Sequence, residues 1–439
     1  MGSRFNLFSN PVASNYRANA FMKFYVAATL TVSIVLAGCS SLPQKSDFPN
    51  YDRVDNTPVV FVHGLFGSKI RDKESGIEVW PGSLYRLMTR PFALLGFKIS
   101  PDLKPDLGPY EAFATYMGVR KKRFNQTWGL LQEVGGYQRG YAGEVYGKND
   151  RRYYFFVYDW RKDLVDSARE LDLFIERIRE SHQDPNLKVN LVAHSLGGQV
   201  VRYFLAYGSQ DVLNDGINAI PTYEGKRKTK KVIYMAVPLD GSLIALRALV
   251  RGHKMGFSRI PPEQVVAVAS IYQILPAPGN FWVVDESGND LNLDLYDIDV
   301  WKEYEWSLFS PKARDKFVKK NRMEYYPLLV SYMEYRLKRA RLFYEVLKGY
   351  TGEDEYTIYS NCKPTLGKAL LDKKGKLHFQ EIPNMFPELL RATIVPGDKV
   401  VPYKVLKNIE MFTVCSTHNK MWNNPKVAKA LIQILLGRK

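Results

Sequence analysis

One serine has neighbours suited to nucleophilic chemistry. Residues 188–199 read Lys-Val-Asn-Leu-Val-Ala-His-Ser-Leu-Gly-Gly-Gln, an apolar strand running into a small-x-Ser-x-Gly turn. Such a turn strains the serine backbone and projects its hydroxyl, so only small residues fit two positions before and after it, here Ala193 and Gly197. Val189, Leu191 and Val192 build the strand, and residues 199–205 continue as a helix with an apolar face. Strand, turn and helix agree on Ser195 as the nucleophile.

A serine hydroxyl needs a base, and in this strand-turn-helix class the chain order is serine, acid, histidine. Of His63, His182, His194, His253, His378 and His418, only the last three lie beyond Ser195 with room for an acid between. His418 follows a strand-like run at 409–414 and precedes a last helix over 425–436, capped by Asn424 and opened by Pro425. His253 and His378 stand in basic, polar stretches and read as surface residues. His194 reads as packing beside the serine. The apolar run from Arg391 ends in Gly397-Asp398, which makes Asp398 the acid that orients the His418 ring; Asp240 is the next choice, then Asp354 and Asp372.

An acyl-transfer intermediate also needs two backbone N–H donors, one after the nucleophile and one from an early strand-to-loop junction. Leu196 supplies the first. The buried-strand pattern at 58–63 breaks into His63-Gly64-Leu65-Phe66-Gly67, and the Leu65 amide supplies the second.

These segments together resemble the lecithin:cholesterol acyltransferase family of α/β-hydrolases. The resemblance runs in order through residues 58–67, Trp80-Pro81-Gly82, Tyr158-Asp159-Trp160-Arg161, residues 193–197, Pro238-Leu239-Asp240-Gly241-Ser242, Gly397-Asp398-Lys399-Val400-Val401-Pro402 and His418-Asn419. Tyr-Asp-Trp-Arg is the most specific segment, because hydrolases in general lack it. Two segments depart from the family pattern: Leu239-Asp240-Gly241 replaces Trp-Gly-Gly or similar, and Lys399-Val400 replaces Gly-Thr. The resemblance implies a lipid acyl hydrolase or acyltransferase working through an acyl-Ser195 intermediate. Because the departures fall on the acceptor side, phospholipase A or lysophospholipase activity is expected over transfer. A general carboxylesterase or triacylglycerol lipase is the second reading. A non-catalytic envelope lipoprotein using the fold as a scaffold is the third, and the intact Ser195, Asp398 and His418 argue against it.

The N-terminus speaks to compartment. Lys23 precedes an apolar segment from Phe24 to Leu36 that ends in Leu36-Ala37-Gly38-Cys39-Ser40, resembling a bacterial lipoprotein signal with its lipidated cysteine. The apolar run is short for a bilayer span. Residues 1–38 therefore read as a removed leader, with Met22 an alternative start, and 39–56 as a polar linker after lipidated Cys39. The lack of Asp after Cys39 resembles outer-membrane sorting in Gram-negative bacteria, so the mature protein is expected at the envelope, facing periplasm or exterior. There a disulfide can persist; for Cys362 and Cys415, the sequence leaves a bridge and two buried thiols equally open.

Apolar runs at 58–63, 153–158, 188–193, 231–237, 356–361, 391–395 and 409–414, alternating with helical patterns such as 164–181, predict a mostly parallel sheet flanked by helices. Residues 57–439 form one such domain. The stretch 243–350 has no core-strand pattern and reads as a helical cap, with Phe281-Trp282 and Tyr325-Tyr326 as its lining. The formal charge is +17, and removing a leader whose only charged residues are Arg4, Arg17 and Lys23 leaves +14. Such a surface attracts phosphate-bearing headgroups as readily as nucleic acid, but no nucleic-acid motif accompanies it, so membrane phospholipid is the expected partner. The basic stretch 312–348, interleaved with Phe317, Met323, Leu328, Leu329, Leu337 and Phe343, fits either a lipid-docking face or a helix packed on the core. No metal-ligand cluster or cofactor motif appears, and none is expected.

Overall fold

The computed structural model describes residues 56–82, 98–106, 108–115, 126–214, 219–255, 258–319, 323–379, 390–406 and 409–436. The leader, Cys39 and the linker up to residue 55 lie outside these.

Seven strands form the central sheet: β1 (Val59–Val62), β2 (Gln138–Arg139), β3 (Arg152–Phe156), β4 (Val189–His194), β5 (Thr229–Met235), β6 (Glu355–Ser360) and β7 (Glu410–Val414). Their order is β7-β6-β5-β4-β1-β3-β2, and every neighbouring pair is parallel. Every residue of β1 and β4 is buried, as expected for central strands covered on both faces, which read as near-continuous apolar runs. Parallel neighbours need crossover connections. Helix α1 (Leu164–Ser181) joins β3 to β4, and α2 (Leu196–Tyr207) follows β4. This is an α/β-hydrolase fold.

Helix α1 forms where its apolar residues recur at helical spacing: Leu164, Val165, Ala168, Leu171, Ile175 and Ile178 are all fully buried. Its N-cap Asp163 accepts from the Val165 amide at 3.0 Å. The same carboxylate accepts from Gln273 Nε2 at 2.9 Å, and from Arg336 at 2.8 Å and Arg339 at 2.6 Å on helix α4 (Tyr326–Leu347), the longest of the described helices. Burial would raise the Asp163 carboxyl, but Arg339 and Arg336 outweigh it and hold it low. Removing one partner from such a buried set costs about 3–5 kcal/mol, because the remaining charge stays desolvated. Asp163 thus pins the segment between β5 and β6 to the core.

That segment contributes no strand to the central sheet among the described residues. It opens with α3 (Leu243–Arg251), and its basic stretch packs inward: Phe317, Leu329, Leu337 and Phe343 are buried, and Phe343 stacks on Tyr203 of α2 at 5.6 Å. Of the same stretch Leu328 is only partly buried and Met323 is exposed, so core packing holds for four of these six apolar residues.

The expected core strand at 391–395 is not in the central sheet. Leu390–Thr393 is a single helical turn, and Ile394–Gly397 pairs antiparallel with Lys363–Leu366 in a separate ribbon. Two causes are visible. Pro396 has no ladder donor, and β7 already occupies the edge of β6 with Tyr356 opposite Glu410. The short β2 was not expected either; its two exposed residues carry no apolar pattern.

Candidate active site

The site lies at the carboxyl end of the parallel sheet, where ligands bind in open α/β folds. Ser195 directly follows β4 and caps α2 with φ 55° and ψ −130°, a conformation natural only to glycine. Its surroundings must therefore be small. A Cβ at Gly64 would lie 2.7 Å from Ser195 Cβ, and one at Gly197 would lie 2.4 Å from the His63 carbonyl oxygen. The strand, the helix and the loop after β1 close on the serine from three sides.

His418 follows β7 and opens a short helical stretch. Its Nε2 is 2.9 Å from Ser195 Oγ, and its Nδ1 is 2.7 Å from Asp398 Oδ2. A carboxylate only accepts, so the ring proton sits on Nδ1 and Nε2 is free to accept from the serine hydroxyl. Asp398 and His418 are buried, at 1% and 7% exposure. Burial would raise the Asp398 carboxyl, but the His418 hydrogen bond and charge, with the Val401 and Val400 amides, hold it below the usual range. Those amides donate to Oδ1 at 2.6 and 2.8 Å.

The His418 backbone is also held. Its amide donates to the Asp398 carbonyl at 2.9 Å, and His194 Nε2 lies 3.3 Å from the His418 carbonyl. Burial, reinforced by the neighbouring His418, lowers His194 to about 3, so it is neutral and can donate there. Just upstream, Cys415 forms a disulfide with Cys362, and the Ser416 amide donates to Ser360 Oγ at 3.1 Å, tying the histidine loop to the end of β6. The bridge resolves the alternative that the sequence left open.

Leu196 directly follows the serine, and Leu65 lies in the loop after β1. Leu196 is the first residue of α2, so its N–H has no acceptor within the helix. Leu65 follows Gly64, whose Cα passes against Ser195. Tyr158-Asp159-Trp160-Arg161, at the end of β3, braces this loop. The Tyr158 hydroxyl donates to the His63 carbonyl at 2.7 Å and its ring stacks on His63 at 4.2 Å. Burial lowers His63 to about 4, so it remains neutral. Asp159 and Arg161 form a buried ion pair at 2.6 Å, and Trp160 packs on Phe66 at 4.6 Å. Beside Leu65 lies a small apolar cavity lined by Phe66, Trp160, Ile260, Val265 and Ile271, among others.

Residues 146–326 match the family model described as lecithin:cholesterol acyltransferase. The match includes the Tyr-Asp-Trp-Arg segment, Ser195 and residues 238–242; Asp398 and His418 lie beyond it. A family of lipid acyl-transfer enzymes supports lipid acyl chemistry here. Among solved structures, a chain of the Tle4–Tli4 complex is 14% identical, with a TM-score of 0.47 over 87% of this chain and 99% of that one. Bacillus licheniformis lipase BlEst2 is 13% identical, with a TM-score of 0.33 over 87% of this chain and 92% of its own. EstA from Clostridium botulinum is 15% identical, with a TM-score of 0.33 over 88% and 89%. No curated protein matches the chain.

Some expectations for this site need correction. His378 is not a surface residue: it is buried, with Nε2 2.6 Å from Asp372 Oδ2. His253 packs on Phe66 at 5.2 Å and lines the apolar cavity, and burial, with Arg247 and Arg259, lowers it to about 4. Both stretches look polar, yet each ring finds a local apolar or acidic partner. Phe281, Trp282, Tyr325 and Tyr326 do not line that cavity. Phe281 is exposed, Trp282 Nε1 donates to the Ala277 carbonyl, and the two tyrosine hydroxyls bond Ile99 and Leu308. Asp240, the alternative acid, is paired with Lys404. Two residues that shape the site escaped the sequence reading. Gln199 Nε2 bonds the Pro238 carbonyl at 2.7 Å, and Thr365 Oγ1 accepts from the Lys399 amide at 2.9 Å. For Gln199, the only local signal was its place in the first turn after the elbow; Thr365 had none.

Proposed function

We propose that the protein is a serine-dependent lipid acyl hydrolase acting mainly as a phospholipase A or lysophospholipase. The continuous hydrogen-bonded chain from Ser195 Oγ through His418 to Asp398 carries this reading. Ser195 Oγ attacks the ester carbonyl carbon as His418 Nε2 takes its proton, and the Leu65 and Leu196 amides hold the oxyanion. As the tetrahedral species collapses, the ester C–O bond breaks and His418 returns the proton to the departing alcohol. The acyl-Ser195 ester is then cleaved by water, again with His418 as base. Asp398 stays ionised and stabilises the imidazolium. No cofactor enters any step.

Water or an alcohol can receive the acyl group, and water is the principal acceptor in this reading. Incubating the purified chain with labelled phosphatidylethanolamine or phosphatidylglycerol, with and without a long-chain alcohol, is expected to give mostly free fatty acid. Mostly acylated alcohol at modest alcohol concentration would reverse the choice, and no fatty acid from any phospholipid would favour a general esterase.

The protein is further proposed to work at the bacterial envelope, tethered through lipidated Cys39. A Cys39→Ala variant is expected to lose palmitate labelling and to leave the membrane fraction, carrying its soluble-ester hydrolysis with it. Labelling that persists in this variant rules the tether out.

A further inference from the structure

Lys399 directly follows Asp398 and is held at φ 82°. An L side chain in this left-handed region carries a backbone cost that glycine avoids. The turn around it is fixed on several sides. The Lys399 amide donates to Thr365 Oγ1 at 2.9 Å, the Val400 and Val401 amides to Asp398 Oδ1, and Ser242 Oγ to the Val400 carbonyl at 3.1 Å. The contacts that set the Asp398 carboxylate therefore also hold Lys399 in its strained conformation. Strain retained beside reacting groups points to a use for the side chain that carries it.

That side chain is exposed, and among the described residues no acid pairs with its ammonium. The neighbouring acids are already taken: Asp398 is bonded to His418, and Asp240 is paired with Lys404 of the same loop. An uncompensated cation thus stands one residue from the acid, its Cα about 3.8 Å from that of Asp398 across a trans peptide. We propose that Lys399 is a specificity residue that selects ester substrates with a net anionic, phosphate-bearing headgroup. This rests on the phospholipid reading of the site. In phosphatidylglycerol the phosphate charge is unopposed. In phosphatidylethanolamine the headgroup ammonium offsets it and competes with Lys399 for it.

The test is kcat/KM of the full chain for dihexanoyl phosphatidylglycerol and dihexanoyl phosphatidylethanolamine, each below its micellar concentration. Dissolved monomers keep adsorption of a basic protein to a charged surface out of the comparison. Relative to wild type, the glycerol-to-ethanolamine ratio is expected to fall about two- to fivefold in Lys399→Gln and Lys399→Gly, the range of an exposed charge pair, and to persist in Lys399→Arg. Lys399→Gly is also expected to melt about one degree higher, since it relieves the positive φ. An unchanged ratio in the Gln and Gly variants, with both lipids still hydrolysed, overturns the assignment. So does equal loss on both lipids, which would make Lys399 a support for Asp398 alone. Wild-type protein that hydrolyses neither lipid overturns the phospholipid reading and this inference together.

Discussion

Ser195→Ala is expected to abolish fluorophosphonate labelling and to lower ester turnover by about 10⁴- to 10⁶-fold without unfolding the chain. Alanine keeps the Cβ that the closed space around Ser195 already accommodates, and only the hydroxyl facing His418 Nε2 is lost. His418→Ala should fall in the same range, because the serine then has no base. Asp398→Asn is the sharper experiment, with an expected loss of about 10⁴-fold in kcat. Its amide oxygen can still accept from the Val400 and Val401 amides, so the loop survives. Its NH₂ group, placed toward His418 Nδ1, forces the ring proton onto Nε2, where it blocks the serine. The three losses should not add in combination, since each disables the same proton path. Near-normal turnover in Asp398→Asn would assign the acid elsewhere.

Acid is expected to destabilise the fold well before its carboxylates protonate. His63 and His194 are buried and neutral, with values lowered from 6.5 to about 4 and about 3. Below pH 6.5 the unfolded chain binds protons at both positions while the folded chain does not. The unfolded state is then the more protonated one, so stability rises with pH and is lost as pH falls through this window. Two protons correspond to about 3 kcal/mol per pH unit. His253, lowered to about 4, adds to the effect, while Glu355 and Asp166, raised by burial, oppose it. Urea midpoints at pH 7, 6, 5 and 4.5 read the slope directly, and a flat profile would mean that these rings take up protons in the folded protein.

Much of the candidate site's geometry was legible because strain leaves a local trace. A serine at φ 55° needs small neighbours on both sides, and Ala193 and Gly197 record that need in the sequence. Helix α1 was equally plain, since its buried residues keep helical spacing between Asp163 and Ser181. Asp398 and His418 followed from chain order and from the runs before them, although the run before Asp398 pairs outside the central sheet. What stayed hidden depends on contacts between distant segments. Arg336 and Arg339 read as surface charge on a basic helix until Asp163 is placed beneath them. Thr365 is an unremarkable residue of a short ribbon until it meets the Lys399 amide. The partnership of Cys362 and Cys415 depends on two strand ends meeting at a Cα separation of 5.3 Å, which spacing alone does not encode.

The chain leaves the central sheet after β5 and returns at β6, and these are parallel neighbours, with Val232 opposite Glu355. Adjacent strands stand about 4.8 Å apart. The intervening segment nevertheless starts at the carboxyl end of one strand and ends at the amino end of the next, so any replacement must run the length of the sheet once, as an ordinary crossover helix does. Everything beyond that minimum is interchangeable in principle. Because closure entropy grows only slowly with loop length, lengthening or shortening this segment adds little to the cost of forming the sheet. Recombination could therefore exchange the cover over an unchanged set of reacting groups, provided that the newcomer supplies cations to meet the buried carboxylate of Asp163.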